Sequence, residues 1–177
     1  MDIDKFFNAE SVAIVGVSKN PNKIGHVIFR NLLDGEYKGQ VFIVNPNAQS
    51  ILGYFSYKSV LDIEHGIDLV VIAVPAKYVI KVLNDCGKKK VKHVIIVSAG
   101  FKEINNNKLE KNLLQTIKKN KLNVIGPNCL GVLNTENKLD TLFLPRYRLN
   151  RPKQGEISFV CQSGAVGSSI LDLASKE

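Results

Sequence analysis

Six short apolar runs constrain this chain more than any other feature. They are Val12–Val17 (VAIVGV), Val41–Val44 (VFIV), Leu69–Val74 (LVVIAV), Val94–Val97 (VIIV), Val124–Ile125 (VI) and Ile157–Cys161 (ISFVC). Each is β-branched and continuous rather than alternating, the pattern of strands covered on both faces. Most of the gaps hold helical material. Ile24, Val27, Ile28, Leu32 and Leu33 share one helical face; so do Tyr78, Val79, Val82 and Leu83, and Leu109, Leu113, Leu114 and Ile117. Strand–helix alternation at this spacing predicts parallel βαβ units and an α/β doubly wound sheet with right-handed crossovers. Ile51–Asp62 departs from the pattern, with a turn at Gly53 and one short helix expected there.

With 177 residues, the chain has room for one full domain and part of a second. A stretch poor in apolar residues, with Pro145, Pro152 and clustered Arg146, Arg148 and Arg151, predicts a linker over 135–154 after a domain at 1–134. A new strand over Glu156–Cys161 and a helix opening at Ser163 then begin a second α/β unit, 155–177. One βα unit cannot form a core alone, so this second domain is expected to be cut short.

No apolar run approaches the ~18 residues of a membrane span. The opening MDIDKFFNAE has neither the basic start nor the apolar stretch of a signal peptide. A cytoplasmic location without membrane association is the expectation. Cys86, Cys129 and Cys161 form no Cys-x-x-Cys or Cys/His cluster, so neither a metal site nor a disulfide is expected. Cys161 is expected to pack as a small hydrophobe. The net charge of +8 is concentrated: Lys77–Lys121 holds 12 basic and 3 acidic residues, and the rest holds 12 and 13. Its run Lys88, Lys89, Lys90 and Lys92 has no interleaved aromatics and the chain has 20 Lys against 4 Arg, so the block reads as solvated helix faces, not a nucleic-acid interface.

In an open parallel sheet, ligands bind outside the carboxyl ends of the strands. The first loop there runs from Gly16 to Gly25 and contains Ser18, Lys19, Pro21 and Lys23. Following a strand and opening a helix, it can turn backbone N–H groups and a helix dipole toward a phosphate. It reads equally as a turn with solvated lysines, and it lacks the G-x-G-x-x-G spacing. The second loop, Asn45-Pro46-Asn47, carries no acid to accept from a ribose 2′-OH. That argues against a nicotinamide dinucleotide, although an oxidoreductase domain stays open as an alternative. Val74-Pro75 and Ser98-Ala99-Gly100-Phe101 are small and neutral, so an elongated ligand could cross them closely. Phe101 either covers an apolar tail or caps the core.

Taken together, SVAIVGVSKNPNKIGHVIFRNLL, VNPN, ILGYFSYKSVLDI, DLVVIAVPA, VIIVSAGFKE, VIGPNCLGVLN and ISFVCQSGAVGSSILDLA, in that order, carry a resemblance. The chain from about Glu10 to Glu177 resembles the amino-terminal part of the NDP-forming acyl-CoA synthetases. These include the ADP-forming acetate–CoA ligase α subunit and, more distantly, the succinyl-CoA synthetase α subunit. The resemblance implies a Rossmann-like CoA-binding domain followed by the start of a flavodoxin-like domain. It implies that the loop Ser18 to Gly25, with Ser18, Lys19, Pro21, Lys23 and Gly25, contacts CoA phosphates, and that Gly16 belongs to the same CoA site. It also implies that Asn45, Pro46, Val74, Pro75, Ser98, Ala99, Gly100 and Phe101 line the rest of the CoA site. Ser163 and Gly164 would hold the phosphoryl group of a phosphohistidine, near Asn128. The family's phosphohistidine motif has no counterpart among His26, His65 and His93, so no catalytic residue is expected in this chain. His26 is expected to pack near the first loop, His65 to sit in a turn and His93 to be structural. ATP or GTP with Mg, the remainder of an α chain and an ATP-grasp β subunit or domain are implied only for a complete, oligomeric enzyme. A stand-alone CoA-sensing module is the other alternative.

Overall fold

The computed structural model describes residues 3–176. Its frame is a seven-stranded sheet. In chain order the elements are β1 (Ser11–Val15), α1 (Ile24–Asp34), β2 (Gln40–Val44), β3 (Ser50–Ile51), β4 (Tyr54–Tyr57), β5 (Leu69–Ile72), α2 (Ala76–Lys88), β6 (His93–Ile96), α3 (Asn107–Asn120) and β7 (Asn123–Ile125). A two-stranded ribbon of β8 (Leu133–Asn134) and β9 (Leu139–Asp140) follows, then α4 (Gly164–Ala174). The strand order is β3-β4-β2-β1-β5-β6-β7. All neighbours pair in parallel except β3 with β4. The expected doubly wound α/β sheet is therefore present.

Alternation along the strands builds two cores, one on each face. Val12 and Ile14 point with Leu69, Val71 and Ile95 toward Ile28, Phe29 and Leu32 of α1. Ala13 and Val15 point with Val70, Ile72, Val94 and Ile96 toward Val79 and Leu83 of α2 and Leu113 of α3. Fully burying each such side chain contributes roughly 1.5–3 kcal/mol, which is why the central strands read as unbroken apolar runs. Three residues expected on buried helix faces are not there. Ile24 and Tyr78 occupy first turns that project past the sheet, and Leu114 turns outward; they are 42%, 49% and 58% exposed.

Ile51–Asp62 contains the Gly53 turn and a short 3-10 helix, Val60–Asp62, as expected. It also contains a β-hairpin that the apolar-run criterion misses. Its strand β4 joins the edge of the main sheet beside β2.

Residues 135–151 are not a free linker. Asp140 is 1% exposed, and its carboxylate accepts from Arg151 Nε at 2.7 Å and Arg146 Nη1 at 3.0 Å. Asn31 of α1 donates to the carbonyls of Leu142 and Leu144 at 2.7 and 3.0 Å. Leu139, Leu142 and Leu149 are buried. Two of the three arginines in this stretch, Arg146 and Arg151, tie the segment together through Asp140, while Asn31 joins it to α1.

The strand expected over Glu156–Cys161 does not form. A strand exists only through ladder hydrogen bonds to a neighbour, and among the described residues none lies beside this segment. Ile157 and Val160 are 93% and 92% exposed, and Cys161 is exposed rather than packed. The helix expected at Ser163 does form, with the Ser163 hydroxyl accepting from Val166 N–H at 3.3 Å.

Candidate functional site

The first loop is shaped by two glycines in backbone contact. Gly16 leaves β1 with φ +103°, and a Cβ there would lie 2.6 Å from the Ala73 carbonyl oxygen. A Cβ on Gly25 would lie 2.3 Å from the Gly16 carbonyl oxygen. The first turn of α1 is thereby seated directly on the carboxyl end of β1, the close packing that glycine permits in dinucleotide-binding folds.

Between these glycines the turn is held from within. Ser18 Oγ accepts from Asn20 N–H at 3.1 Å, and Asn20 Oδ1 accepts from Asn22 N–H at 2.9 Å, spanning Pro21. His26 Nδ1 lies 2.7 Å from the Ser18 carbonyl oxygen and is 7% exposed, so it braces the loop. Lys19 and Lys23 remain exposed, and Lys23 caps α1 without a side-chain hydrogen bond. Pro75 likewise caps α2 with no side-chain bond. Two helix N-termini with unsatisfied donors and positive dipole ends thus stand at the carboxyl ends of neighbouring strands β1 and β5.

The other loops join this one in a continuous rim. Asn45 donates from Nδ2 to the Val17 carbonyl at 2.7 Å and accepts from Asn47 N–H at 2.8 Å, fixing the Pro46 turn against the first loop. Ser98 Oγ donates to the Val74 carbonyl at 2.5 Å. Ala99 is exposed, and Gly100, at φ +118°, lies so close to Ala76 that a Cβ would approach to 2.9 Å. Phe101 is fully buried, which settles its ring as core; only its backbone reaches the rim. Asn128, exposed and at φ 55°, donates its N–H to the Ser98 carbonyl at 3.1 Å. Two residues on, Leu130 faces α4, where Cβ atoms on Gly164 and Gly167 would lie 4.0 and 3.7 Å from its side chain. Ser163 and Gly164 therefore sit beside the Asn128 loop.

Two residues that sequence reasoning passed over complete the rim. The Glu103 carboxylate accepts from the N–H groups of Gly100 and Phe101, and these bonds hold its pKa below the usual value. Asn106 caps α3 and donates to the Gly100 carbonyl at 3.2 Å. The Gly-Phe-Lys-Glu spacing, a carboxylate three residues after a glycine turn, was the available signal.

The remaining titratable groups have structural occupations. His93 is 6% exposed, edge-on to Phe6 at 5.0 Å and 3.2 Å from Asn123 Nδ2. His65 is exposed and stacked on Phe42. Burial pushes Cys86 and Cys129 up to about 12 and about 11. Lys89, expected in a solvated run, instead donates to the Ile63 carbonyl. Among the described residues no group of three or more His, Cys, Asp or Glu could hold a metal, and no helix is long and apolar enough to cross a membrane. A depression of ≈ 1000 Å³ lies at the opposite, amino ends of β1, β2 and β5, lined by Ser11, Gln40 and Asp68 among others. Its Asp68 carboxylate is engaged by Glu10 N–H at 2.8 Å and Lys5 at 3.5 Å.

Comparison with known proteins agrees with this geometry. A CoA binding domain model matches residues 10–135. The chain is 45% identical over 165 residues to an acetate–CoA ligase (ADP-forming) of Methanocaldococcus jannaschii, covering 93% of this chain and 23% of that protein. It is 39% identical over 178 residues to the α subunit of acetate–CoA ligase (ADP-forming) II of Pyrococcus furiosus, covering 99% and 37%. The solved dinucleotide-forming acetyl-coenzyme A synthetase 1 of Ca. Korarchaeum cryptofilum, in complex with phosphate and ADP, superposes with TM-score 0.89 at 36% identity, over 99% of this chain and 37% of that one. The chain thus spans 23–37% of the length of these relatives. The resemblance read from its motifs holds, and the chain belongs to the CoA binding domain family.

Proposed function

We propose that this chain is the CoA-binding part of an ADP-forming acid–CoA ligase. The observation that carries the proposal is the pair of uncapped helix N-termini at β1 and β5, with exposed Lys19 and Lys23 and no acid on the neighbouring loop. Such a site suits a pyrophosphate whose ribose carries a phosphate in place of a free 2′,3′-diol. CoA's pyrophosphate would rest on the Ser18–Gly25 amides. Its pantetheine would run past Pro75 and over Ser98, Ala99 and Gly100, where small side chains keep the floor low. Its thiol would then arrive near Asn128, beside the α4 N-terminus at Ser163 and Gly164.

That end of the site is suited to a phosphoryl group, because the Ser163 cap leaves further first-turn N–H groups of α4 free to face an anion. In the complete reaction, acid, CoA and nucleoside triphosphate give acyl-CoA, nucleoside diphosphate and phosphate by way of an acyl phosphate. The phosphoryl-carrying histidine belongs to another part of the full enzyme, as does the ATP-grasp unit that uses ATP or GTP with Mg. His26, His65 and His93 are each engaged elsewhere and lie apart from Ser163 in their contacts. The first unit (up to Arg151) is the CoA domain in this reading. Residues from about 155 onward belong to the next domain.

The test is thermal stabilisation of the purified chain by ligand. A ligand that binds only the folded state stabilises it by about 2.7 kcal/mol at a hundredfold excess over Kd. CoA should raise the melting temperature; NAD and NADP should not. Equal stabilisation by NAD would return the dinucleotide-oxidoreductase reading. Acid-dependent phosphate release by this chain alone would overturn the division of labour.

A further inference from the structure

The loop after β6 turns two successive N–H groups, those of Gly100 and Phe101, toward one place, and the group that fills it is the chain's own Glu103. Glu103 Oε1 accepts from Gly100 N–H and, at 3.1 Å, from Phe101 N–H; Oε2 accepts from the same Phe101 N–H at 3.2 Å. Capping the short 3-10 turn Lys102–Ile104 would need the Phe101 N–H alone. The Gly100 N–H lies outside that turn, so the carboxylate reaches further than capping requires. The amides, for their part, are aimed by other contacts. The Phe101 ring is core, and its carbonyl accepts from Ile104 N–H at 3.1 Å and Asn106 N–H at 3.0 Å. The Gly100 carbonyl accepts from Asn106 Nδ2 at 3.2 Å, and the residue is wedged against Ala76. Ser98 is tied by its hydroxyl to the Val74 carbonyl and by its carbonyl to Asn128 N–H. These contacts fix the loop from its buried side without any carboxylate. Glu103 is exposed, and holding a glutamate still costs rotamer freedom. On a loop already fixed, such a side chain is an occupant rather than a strut.

We propose that the Gly100 and Phe101 N–H groups form a ligand site for an acceptor oxygen, that Glu103 plugs this site in the free chain, and that ligand must displace Glu103 to use it. The plug states the chemistry of what replaces it: an oxygen with lone pairs for two adjacent donors. Either an amide carbonyl of a pantetheine arm or the carboxylate of a small acid meets that description. The inference rests on the CoA-binding reading, which runs the pantetheine over this loop toward Asn128, and adds to it a built-in competitor. A ligand that needs the open loop binds with its intrinsic affinity reduced by the fraction of time the plug is out. Removing the plug therefore tightens binding, a gain that damage to a structural residue does not produce.

Isothermal titration of the 177-residue chain and its Glu103→Ala and Glu103→Gln variants with CoA, adenosine 3′,5′-bisphosphate and acetate tests this. Glu103 is exposed, so neither substitution threatens the fold. Glu103→Ala should tighten CoA or acetate about fivefold. Glu103→Gln, whose neutral carboxamide oxygen still accepts but more weakly, should tighten the same ligand by less. Adenosine 3′,5′-bisphosphate, which lacks the pantetheine arm, should bind all three chains alike. Tightening of CoA without acetate assigns the pantetheine carbonyl; tightening of acetate assigns the carboxylate. Unchanged or weaker binding of both ligands in Glu103→Ala overturns the proposal. Equal tightening of the bisphosphate overturns it too, because the gain would then be lost charge repulsion and not an opened site. An unsubstituted chain that binds no CoA would instead remove the CoA-binding reading, and the acetate titration alone would then decide the plug.

Discussion

Replacing Gly25 by Ala tests the central geometric claim about the phosphate loop. A methyl group there would stand 2.3 Å from the Gly16 carbonyl oxygen, 2.7 Å from its carbon and 3.0 Å from Val17 N. All three atoms are backbone, so no side-chain rotation relieves the contact; α1 must lift or the Gly16 turn must move. Overpacking of this kind costs about 1–3 kcal/mol. Alanine's better helix propensity offsets up to ~1 kcal/mol of that cost at most, and less in a first turn. A net loss of about 1–2 kcal/mol lowers the melting temperature of a domain this size by roughly 2–8 °C. CoA affinity should fall as well, because the displaced atoms belong to the loop that would hold the pyrophosphate. Gly66→Ala is the control: nothing lies within 4 Å of a Cβ there and its φ is not positive. It should stay within about ±0.5 kcal/mol of the parent. Scanning calorimetry and CoA titration of both variants decide the matter. A Gly25→Ala chain that melts with the parent and binds CoA equally would refute the backbone-on-backbone account.

Other outcomes follow from the same contacts. Lys23→Ala should weaken CoA binding by about 1.5–3 kcal/mol, while Lys111→Ala, on an exposed face of α3, should not; equal effects in titration would exclude the first loop as the phosphate site. Asp140→Ala leaves Arg151, 4% exposed at its side chain, buried without its carboxylate, and should cost about 3–5 kcal/mol by chemical denaturation. Glu103 has a lowered folded pKa, so its contribution is present above the unfolded carboxyl range and is lost as pH falls through the lower folded value. Melting of the parent and Glu103→Gln should therefore differ at pH 7 and converge in acid. Cys161, exposed, should react with a thiol reagent at pH 8 while Cys86 and Cys129, raised to about 12 and about 11, stay protected until the chain unfolds.

The central sheet was legible because its strands are buried on both faces, which leaves a chemical mark at every position. Val12–Val15, Leu69–Ile72 and Val94–Ile96 have no solvent side on which a polar residue could be tolerated. The β3–β4 hairpin left no such mark. It lies at the sheet edge, where Tyr54 and Phe55 stay exposed, so its sequence reads as a polar-aromatic loop. Aromatic enrichment beside a Leu-Gly turn was its only local signature. The packing of 135–151 was hidden for the opposite reason. Its charges, normally a sign of solvent, are spent on one another: Arg146 and Arg151 converge on a single buried Asp140. Pairing of that kind depends on side chains six and eleven residues apart meeting in space, which composition does not record.

The candidate site shows the same division between what residue type reveals and what geometry adds. Gly16, Gly25 and Gly100 were legible as loop glycines, but their role comes from what they touch, namely backbone of the adjoining loop or Ala76, the first residue of α2. Asn45 was weighed for the acid it is not, whereas its carboxamide is a strut between two loops. Phe101 looks like a ligand contact in a linear reading, yet its ring is core, and Glu103, which that reading passed over, satisfies the loop's own amides. What remains facing outward is mostly main chain, two uncapped helix ends and a few lysines. In the proposed reading, a site made this way would recognise phosphate through atoms that every residue possesses. Its specificity would then come from the positions where side chains do reach out, and along this rim those include Lys19 and Lys23 and the Asn128–Ser163 end.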